Sequence, residues 1–226
     1  MLITSNIYER VVKITCPDGR IGTGTVVERG DQTFVVTARH VLPEKPGDPF
    51  KVANRFSRWD TTVSCLPGVH PEADVAVIRV PPQFARPSSP IVLDNDHVPF
   101  SQDVFFLGWP FGLALQQEGV DQLPFVKKAT VSARQSSKAG PGIWFLDGLI
   151  NPGFSGGPVV LMKSTTEPPQ FFAIVATYLQ EVSRVVFGGM PSDDAIVMAN
   201  TGIIQAFEIT HALEALDKAV PAVGPY

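Results

Sequence analysis

An all-β fold is predicted by three features: short runs rich in Val, Ile, Thr and Phe, turn residues between them, and 21 prolines among 226 residues. The runs are Val11 to Thr15, Gly24 to Val27, Phe34 to Thr37, Val75 to Val80, Val104 to Leu107, Val159 to Leu161 and Phe172 to Thr177. Each is bounded by Gly, Pro or Asp, as strands separated by turns require. Pro17-Asp18-Gly19, Gly30-Asp31 and Pro67-Gly68 supply the turn chemistry. Proline lacks an N–H and locks φ, so it suits loops and edges rather than helices and central strands.

One convincing helix is predicted, near the end. Thr210 can cap a stretch His211 to Lys218 that gathers Ala212, Leu213, Ala215 and Leu216 on one side, giving a helix at about 210–219. The Pro- and Ser-rich stretch from Pro81 to Pro99 reads as a loose connection between two halves, residues 1–95 and 96–226. No internal repeat or low-complexity tract stands out.

Hydrophobic residues make up 44% and charged residues 18%, which is enough apolar side chain to bury a core and too much for disorder. A net charge of -4 does not favour phosphate backbones, so nucleic acid is not an expected partner. No apolar run reaches the length needed to cross a bilayer, so no membrane partner is expected either. Cys16 and Cys65 could form one bridge, but so low a count without a visible signal peptide fits reduced thiols and a cytoplasmic location.

The strongest local motif is Asn151-Pro152-Gly153-Phe154-Ser155-Gly156-Gly157-Pro158, a serine among three glycines just before an apolar strand. Glycines at that density let the backbone turn its amides inward, as an oxyanion hole requires, with Gly153 and Ser155 as the donors. The bland alternative is a Gly-rich hairpin turn. In Thr37-Ala38-Arg39-His40-Val41-Leu42 a histidine follows closely on a strand, and histidine suits general-base work near neutrality. In Glu72-Ala73-Asp74-Val75-Ala76-Val77 an acid stands at the mouth of an apolar strand, where an isolated Asp is usually a cap. Together they follow the order His, Asp, Ser of the chymotrypsin barrels, which subtilisin and the α/β-hydrolases do not share. Ser155 would be the nucleophile, His40 its base, and Asp74 the group that orients and stabilises the imidazole.

These residues resemble the His, Asp and Ser motifs of trypsin-like serine proteases, and HtrA-type members more closely. Gly22-Thr23-Gly24, Gly108-Trp109-Pro110-Phe111-Gly112, Ala129-Thr130-Val131-Ser132-Ala133 and Ile150-Asn151-Pro152-Gly153 are similar to segments of HtrA-type protease domains. The resemblance runs from about Gly22 to Phe207. It implies two six-stranded antiparallel β-barrels with a C-terminal helix, and a cleft between the barrels. It also implies a polypeptide substrate, no cofactor and no metal, and leaves the oligomeric state open. The chain continues only briefly past the helix, so no appended peptide-binding PDZ domain is expected.

The sequence departs from the family's pattern at Phe154, where secreted trypsin-like enzymes place an aspartate and HtrA-type enzymes usually an asparagine. Phe154 cannot make that polar contact and is expected to be buried behind the loop. A competing reading follows from the same residue: a catalytically impaired relative acting as a peptide or protein binding module. An esterase using the same three residues is a third. Arg39, beside the base, has no account in the sequence. By resemblance, the floor of the primary pocket lies near Leu149 and one wall near Thr177 and Tyr178. None is charged, so cleavage after small or medium apolar residues is expected.

Lys127, Lys128, Arg134 and Lys138 read as a solvated face. Cys16, Cys65, His70, His97 and His211 show no metal-ligand spacing. Trp59, Trp109 and Trp144 lack periodicity and read as packing.

Overall fold

The computed structural model describes residues 3–219 apart from 55–58, 65, 82–83, 85–86, 88, 114–122, 138–139 and 165. Among the described residues, fourteen strands form two sheets. The first contains β1 (Val11–Thr15), β2 (Ile21–Arg29), β3 (Gln32–Thr37), β4 (Phe50–Asn54), β5 (Trp59–Val63), β6 (Gly68–Val69) and β7 (Ala76–Val80). The second contains β8 (Val92–Leu93), β9 (Asp103–Gly108), β10 (Phe125–Ser137), β11 (Gly140–Asp147), β12 (Pro158–Leu161), β13 (Gln170–Phe187) and β14 (Met190–Glu208).

The second sheet runs β12-β9-β10-β11-β14-β13 and closes through β12–β13, making a six-stranded barrel with β8 added in parallel to β13. The first runs β5-β4-β1-β2-β3-β7-β6 and curls without a ladder between its edges among the described residues. This is the trypsin-like two-barrel architecture, with its first member an open half-barrel. β8 lies before residue 96 yet joins the second sheet, where Val92 donates to Pro169 O and Gln170 Nε2 donates to Asp94 O and Asp96 O. The connection between the halves is therefore hydrogen-bonded along this stretch rather than loose.

Alternation explains the strands that sequence reading found. Val12 and Ile14 face one core with Val26, Val35, Val52 and Ile78, and Phe106, Val131, Trp144, Leu146, Phe172 and Ile204 fill the other. A third cluster locks the halves together, with Val27, Phe34, Val36 and Val77 meeting Phe171, Ile174, Ile209 and Ala212. Each Val, Ile, Leu or Phe side chain among them contributes about 1.5–3 kcal/mol by leaving water. This seam keeps the two sheets in one register and so fixes what faces what across the cleft.

The terminal helix α1 begins at Thr210, but Thr210 is not its cap. The helical segment is Thr210–Ala215, continued as a 3₁₀ turn over Leu216–Lys218, and the cap position is Ile209, which makes no side-chain cap. Ile209, just past β14, is fully buried and its amide donates to Phe172 O of β13, so this pairing sets where the helix starts. A further single helical turn, Ser5–Tyr8, precedes β1 and has no periodicity long enough to be read from sequence. No helix among the described residues is long and apolar enough to cross a membrane.

Strands β13 and β14 extend far beyond the expected run Phe172 to Thr177. From Gln180 to Asn200 they pair with each other alone, with Val182 opposite Met198 and Arg184 opposite Ile196. Val182, Met198 and Ile196 are exposed along this ribbon. Cys16 is a buried free thiol whose Sγ donates to Val41 O, and Cys65 lies outside the described residues.

Candidate active site

The ladder between β3 and β7 pairs Thr37 with Ala76, so the residues just past Thr37 and just before Ala76 come side by side. His40 sits in a 3₁₀ turn over Arg39–Val41, and Asp74 in the turn before β7. His40 Nδ1 lies 2.5 Å from Asp74 Oδ2, and the His40 amide donates to Asp74 Oδ1 at 3.0 Å. The Arg39 amide reaches Asp74 O at 3.3 Å. Asp74 thus holds both ring and backbone, and a carboxylate on Nδ1 fixes that nitrogen as the proton carrier. Nε2 is left as the acceptor. Arg20 adds a brace that sequence reading missed: its Nη1 donates to His40 O at 2.9 Å while its Nε pairs with Asp18. Arg39, unexplained by sequence, lines a small cleft with Leu42, Glu44 and Phe50.

Ser155 belongs to the second half but is docked on the first. The Thr23 amide donates to Ser155 O at 2.8 Å, Thr23 Oγ1 donates to Gly153 O at 2.6 Å, and Thr37 Oγ1 donates to Thr23 O at 2.7 Å. Two glycines allow this approach. Gly153 has φ +104 and a Cβ there would strike Trp109 O; Gly156 has φ +85 and its Cβ would strike Thr23 O and Thr37 Oγ1. Both conformations favour glycine, and neither site has room for a side chain.

Asn151 to Phe154 form a turn closed by Phe154 N donating to Asn151 O at 3.3 Å. The Gly156 and Gly157 amides donate to Val175 O and Phe154 O. The Gly153 and Ser155 amides donate to no group among the described residues, so the two expected oxyanion donors are free. Ser155 Oγ donates to Ala176 O at 3.0 Å, with no hydrogen bond to His40. Ala176 is the extra residue in a β-bulge between Val175 and Thr177, which frees its carbonyl from the β14 ladder.

Phe154 is fully buried, as expected. Its ring meets Phe106 edge-on at 5.1 Å between centroids and lies under Lys127 Nζ at 5.8 Å. Lys127 Nζ also donates to Asn151 Oδ1 at 3.2 Å, and burial lowers its pKa. Lys127 therefore braces the nucleophile turn from behind and is not part of a solvated face. Its companions keep the solvent-facing reading: Lys128 is exposed and pairs with exposed Asp103, and Arg134, also exposed, stacks on Trp144 at 4.8 Å and pairs with Glu208 at 2.7 Å. Lys138 lies outside the described residues. Trp109 and Trp144 are buried packing residues, and the Trp59 side chain lies outside the described set.

The three pocket residues are placed less uniformly. Tyr178 packs on the second core and Thr177 is exposed at the base of the ribbon. Leu149 is 58% exposed, an open apolar edge and not an enclosed floor. Its neighbours explain this: Gly148 donates to Gly202 O, Ile150 is buried and its carbonyl accepts from Asn200 Nδ2, so Leu149 between them turns outward. His70 and His211 come together with Glu214, a convergence that spacing along the chain cannot reveal.

The sequence model of the trypsin-like peptidase domain matches residues 22–166. The magnetosome formation protease MamE of Paramagnetospirillum magneticum is 30% identical over 152 residues, which are 64% of this chain and 19% of MamE. The HtrA-type protease AlgW with a tripeptide superimposes with a TM-score of 0.66 at 19% identity, covering 95% of this chain and 61% of that one. Deg5 gives a TM-score of 0.63 at 17% identity, covering 94% of this chain and 90% of that one. The chain thus spans about a fifth of MamE and some three fifths of the AlgW chain.

Proposed function

Because the chain belongs to the trypsin-like peptidase family, we propose that it is a serine endopeptidase in which Ser155, His40 and Asp74 form the catalytic triad. The observation that carries this reading is the His40–Asp74 pair at 2.5 Å, with Ser155 docked through Thr23 on the strand that leads to His40 and with the amides of Gly153 and Ser155 engaged by no described group.

The hydroxyl of Ser155 turns from Ala176 O toward His40 Nε2, gives up its proton there and attacks the scissile carbonyl. Asp74 keeps the Nδ1 proton in place and stabilises the imidazolium that forms. The developing oxyanion accepts from the Gly153 and Ser155 amides, which no described protein group engages. His40 returns the proton to the leaving amine, leaving an acyl-Ser155 intermediate that water, activated by the same imidazole, hydrolyses. The sequence of steps needs no cofactor.

AlgW has been solved with a tripeptide, which supports a polypeptide substrate here. Leu149, Thr177 and Tyr178 form an uncharged approach to the nucleophile and favour small or medium apolar residues before the scissile bond. The competing binding-module reading rested on Phe154, and the buried ring with two open amides beside it takes that support away. A fluorophosphonate probe tests the proposal: the adduct should map to Ser155 and vanish in Ser155→Ala. Labelling elsewhere, or none at all, would reject it.

A further inference from the structure

Outside the cleft, at the seam between the first sheet and the terminal helix, His70, His211 and Glu214 converge. His70 Nε2 lies 2.8 Å from Glu214 Oε2, and His211 Nδ1 lies 3.3 Å from the same oxygen. The two rings are buried, 4.6 Å apart between centroids, while Glu214 opens to solvent.

Two imidazoles and a carboxylate are a donor set that a transition metal could use. The outer nitrogens argue against it. A ligating histidine donates its second N–H outward to a carbonyl, carboxylate or water. Here the outer nitrogens accept: His70 Nδ1 receives the Ala73 amide at 2.8 Å and the Glu72 amide at 3.2 Å, and His211 Nε2 receives the Gly142 amide at 2.9 Å. Both lone pairs point outward, so both ring protons sit on the inner nitrogens and face Glu214. A metal in their place would require two imidazolates. Burial raises the Glu214 pKa, but the hydrogen bonds from His211 and His70 outweigh it and hold the carboxyl below its ordinary value, as a carboxylate receiving two N–H groups should be.

The amides that His70 receives belong to the two residues immediately before Asp74. The His70 amide in turn donates to Val75 O at 3.1 Å, so His70 brackets the turn that carries Asp74 by side chain and backbone together. We propose that His70 is a positioning residue for Asp74, held in the required tautomer by Glu214 and His211 of the terminal helix. This rests on Asp74 serving the triad. The arrangement couples the end of the chain to the aim of the carboxylate, and hence to the His40 ring.

The test uses the full chain and the exposed residue Glu214, whose replacement spares the core. Glu214→Ala should lower kcat about tenfold, as misaligned catalytic groups do, with KM changed by no more than about twofold because no substrate contact is lost. In the same variant the low-field proton resonance of the His40 Nδ1–H, assigned by its loss in His40→Ala, should broaden or move upfield. His70→Asn, whose short side chain can still accept the amides two and three residues on, should retain more kcat than His70→Leu. Unchanged kcat and an unchanged resonance in Glu214→Ala would overturn the proposal. So would Zn²⁺ raising the Tm of the wild type and not of Glu214→Ala, which would make the cluster a metal site. If the wild type is inert to fluorophosphonate, the protease reading fails, and the His40 resonance still decides the positioning.

Discussion

Ser155 Oγ donates to the carbonyl of Ala176 at 3.0 Å, so the nucleophile and His40 are not joined in this conformation while His40 and Asp74 already are. His40 and Asp74 are brought together within one sheet by the β3–β7 ladder, and the proposed mechanism requires Ser155 Oγ to leave Ala176 O for His40 Nε2. A phosphonylated or acylated enzyme should show Ser155 Oγ released from Ala176 and Nε2 of His40 within hydrogen-bond reach of the leaving atom. A crystal structure of the adduct with the Ala176 contact retained would contradict this.

As the proposed triad acts as a unit, single losses of Ser155, His40 or Asp74 should be nearly complete. Ser155→Ala and His40→Ala should each lower kcat on the order of 10⁶-fold, and Asp74→Asn about 10⁴-fold through the wrong imidazole tautomer. Thermal melting should stay close to wild type, since His40 is half exposed and Asp74 lies at the surface of the cleft. Substantial turnover in purified Ser155→Ala would remove the assignment.

Phe154 stands where the family's polar anchor is absent, and packing replaces it. Phe154→Ala should cost about 3–5 kcal/mol of stability through the cavity it leaves, read as a drop in the urea midpoint. Phe154→Leu keeps most of the volume and loses the edge contact with Phe106, so it should fold while its kcat falls more than its KM rises, because the oxyanion amides act on the transition state. Wild-type kinetics in Phe154→Leu would deny the loop its anchor.

Gly156→Ala tests the docking of the nucleophile turn on the first sheet. The added Cβ meets Thr23 O and Thr37 Oγ1 at a backbone angle of +85°, so the turn must move. Activity should be lost with a destabilisation of about 1–3 kcal/mol. A fully active Gly156→Ala would mean that Ser155 is not held by Thr23 in the working enzyme.

The proposed substrate preference rests on the uncharged side chains of Leu149, Thr177 and Tyr178. Peptides with Val, Ala or Leu before the scissile bond should be cut faster than those with Lys or Arg. A peptide-library profile led by basic residues would reverse the expectation and place a carboxylate in the pocket.

The strands read correctly from sequence are those whose core residues sit in compact β-branched runs, such as Val11–Thr15, which coincides with β1. Strands β4, β5 and β11 escaped because Lys51, Asp60, Thr61 and Thr62 interrupt the apolar residues of the first two, and β11 opens on Gly140-Pro141-Gly142, which reads as a turn. The long ribbon of β13 and β14 escaped because nothing in its own composition says that two strands will pair beyond the barrel. Within the candidate site, His40, Asp74, Ser155 and Gly153 stood out because each matches a local pattern: a histidine after a strand, an acid before one, a serine among glycines. Lys127, Arg20 and Thr23 were not, because each acts on a partner far away in the chain, as Lys127 does on Asn151 and Phe154.

The amino-acid sequence by itself determined the all-β class, the order of the chemical groups and the burial of Phe154, since turn chemistry, residue type and hydrophobicity are properties of short segments. Only the tertiary structure decided which amides remain free for an oxyanion, that Leu149 faces outward, and that His70 meets Glu214 behind Asp74. These are distances between residues far apart in the chain, set by how two sheets and a terminal helix pack through the shared cluster of Phe34, Val77, Ile174 and Ile209, and no local pattern encodes them.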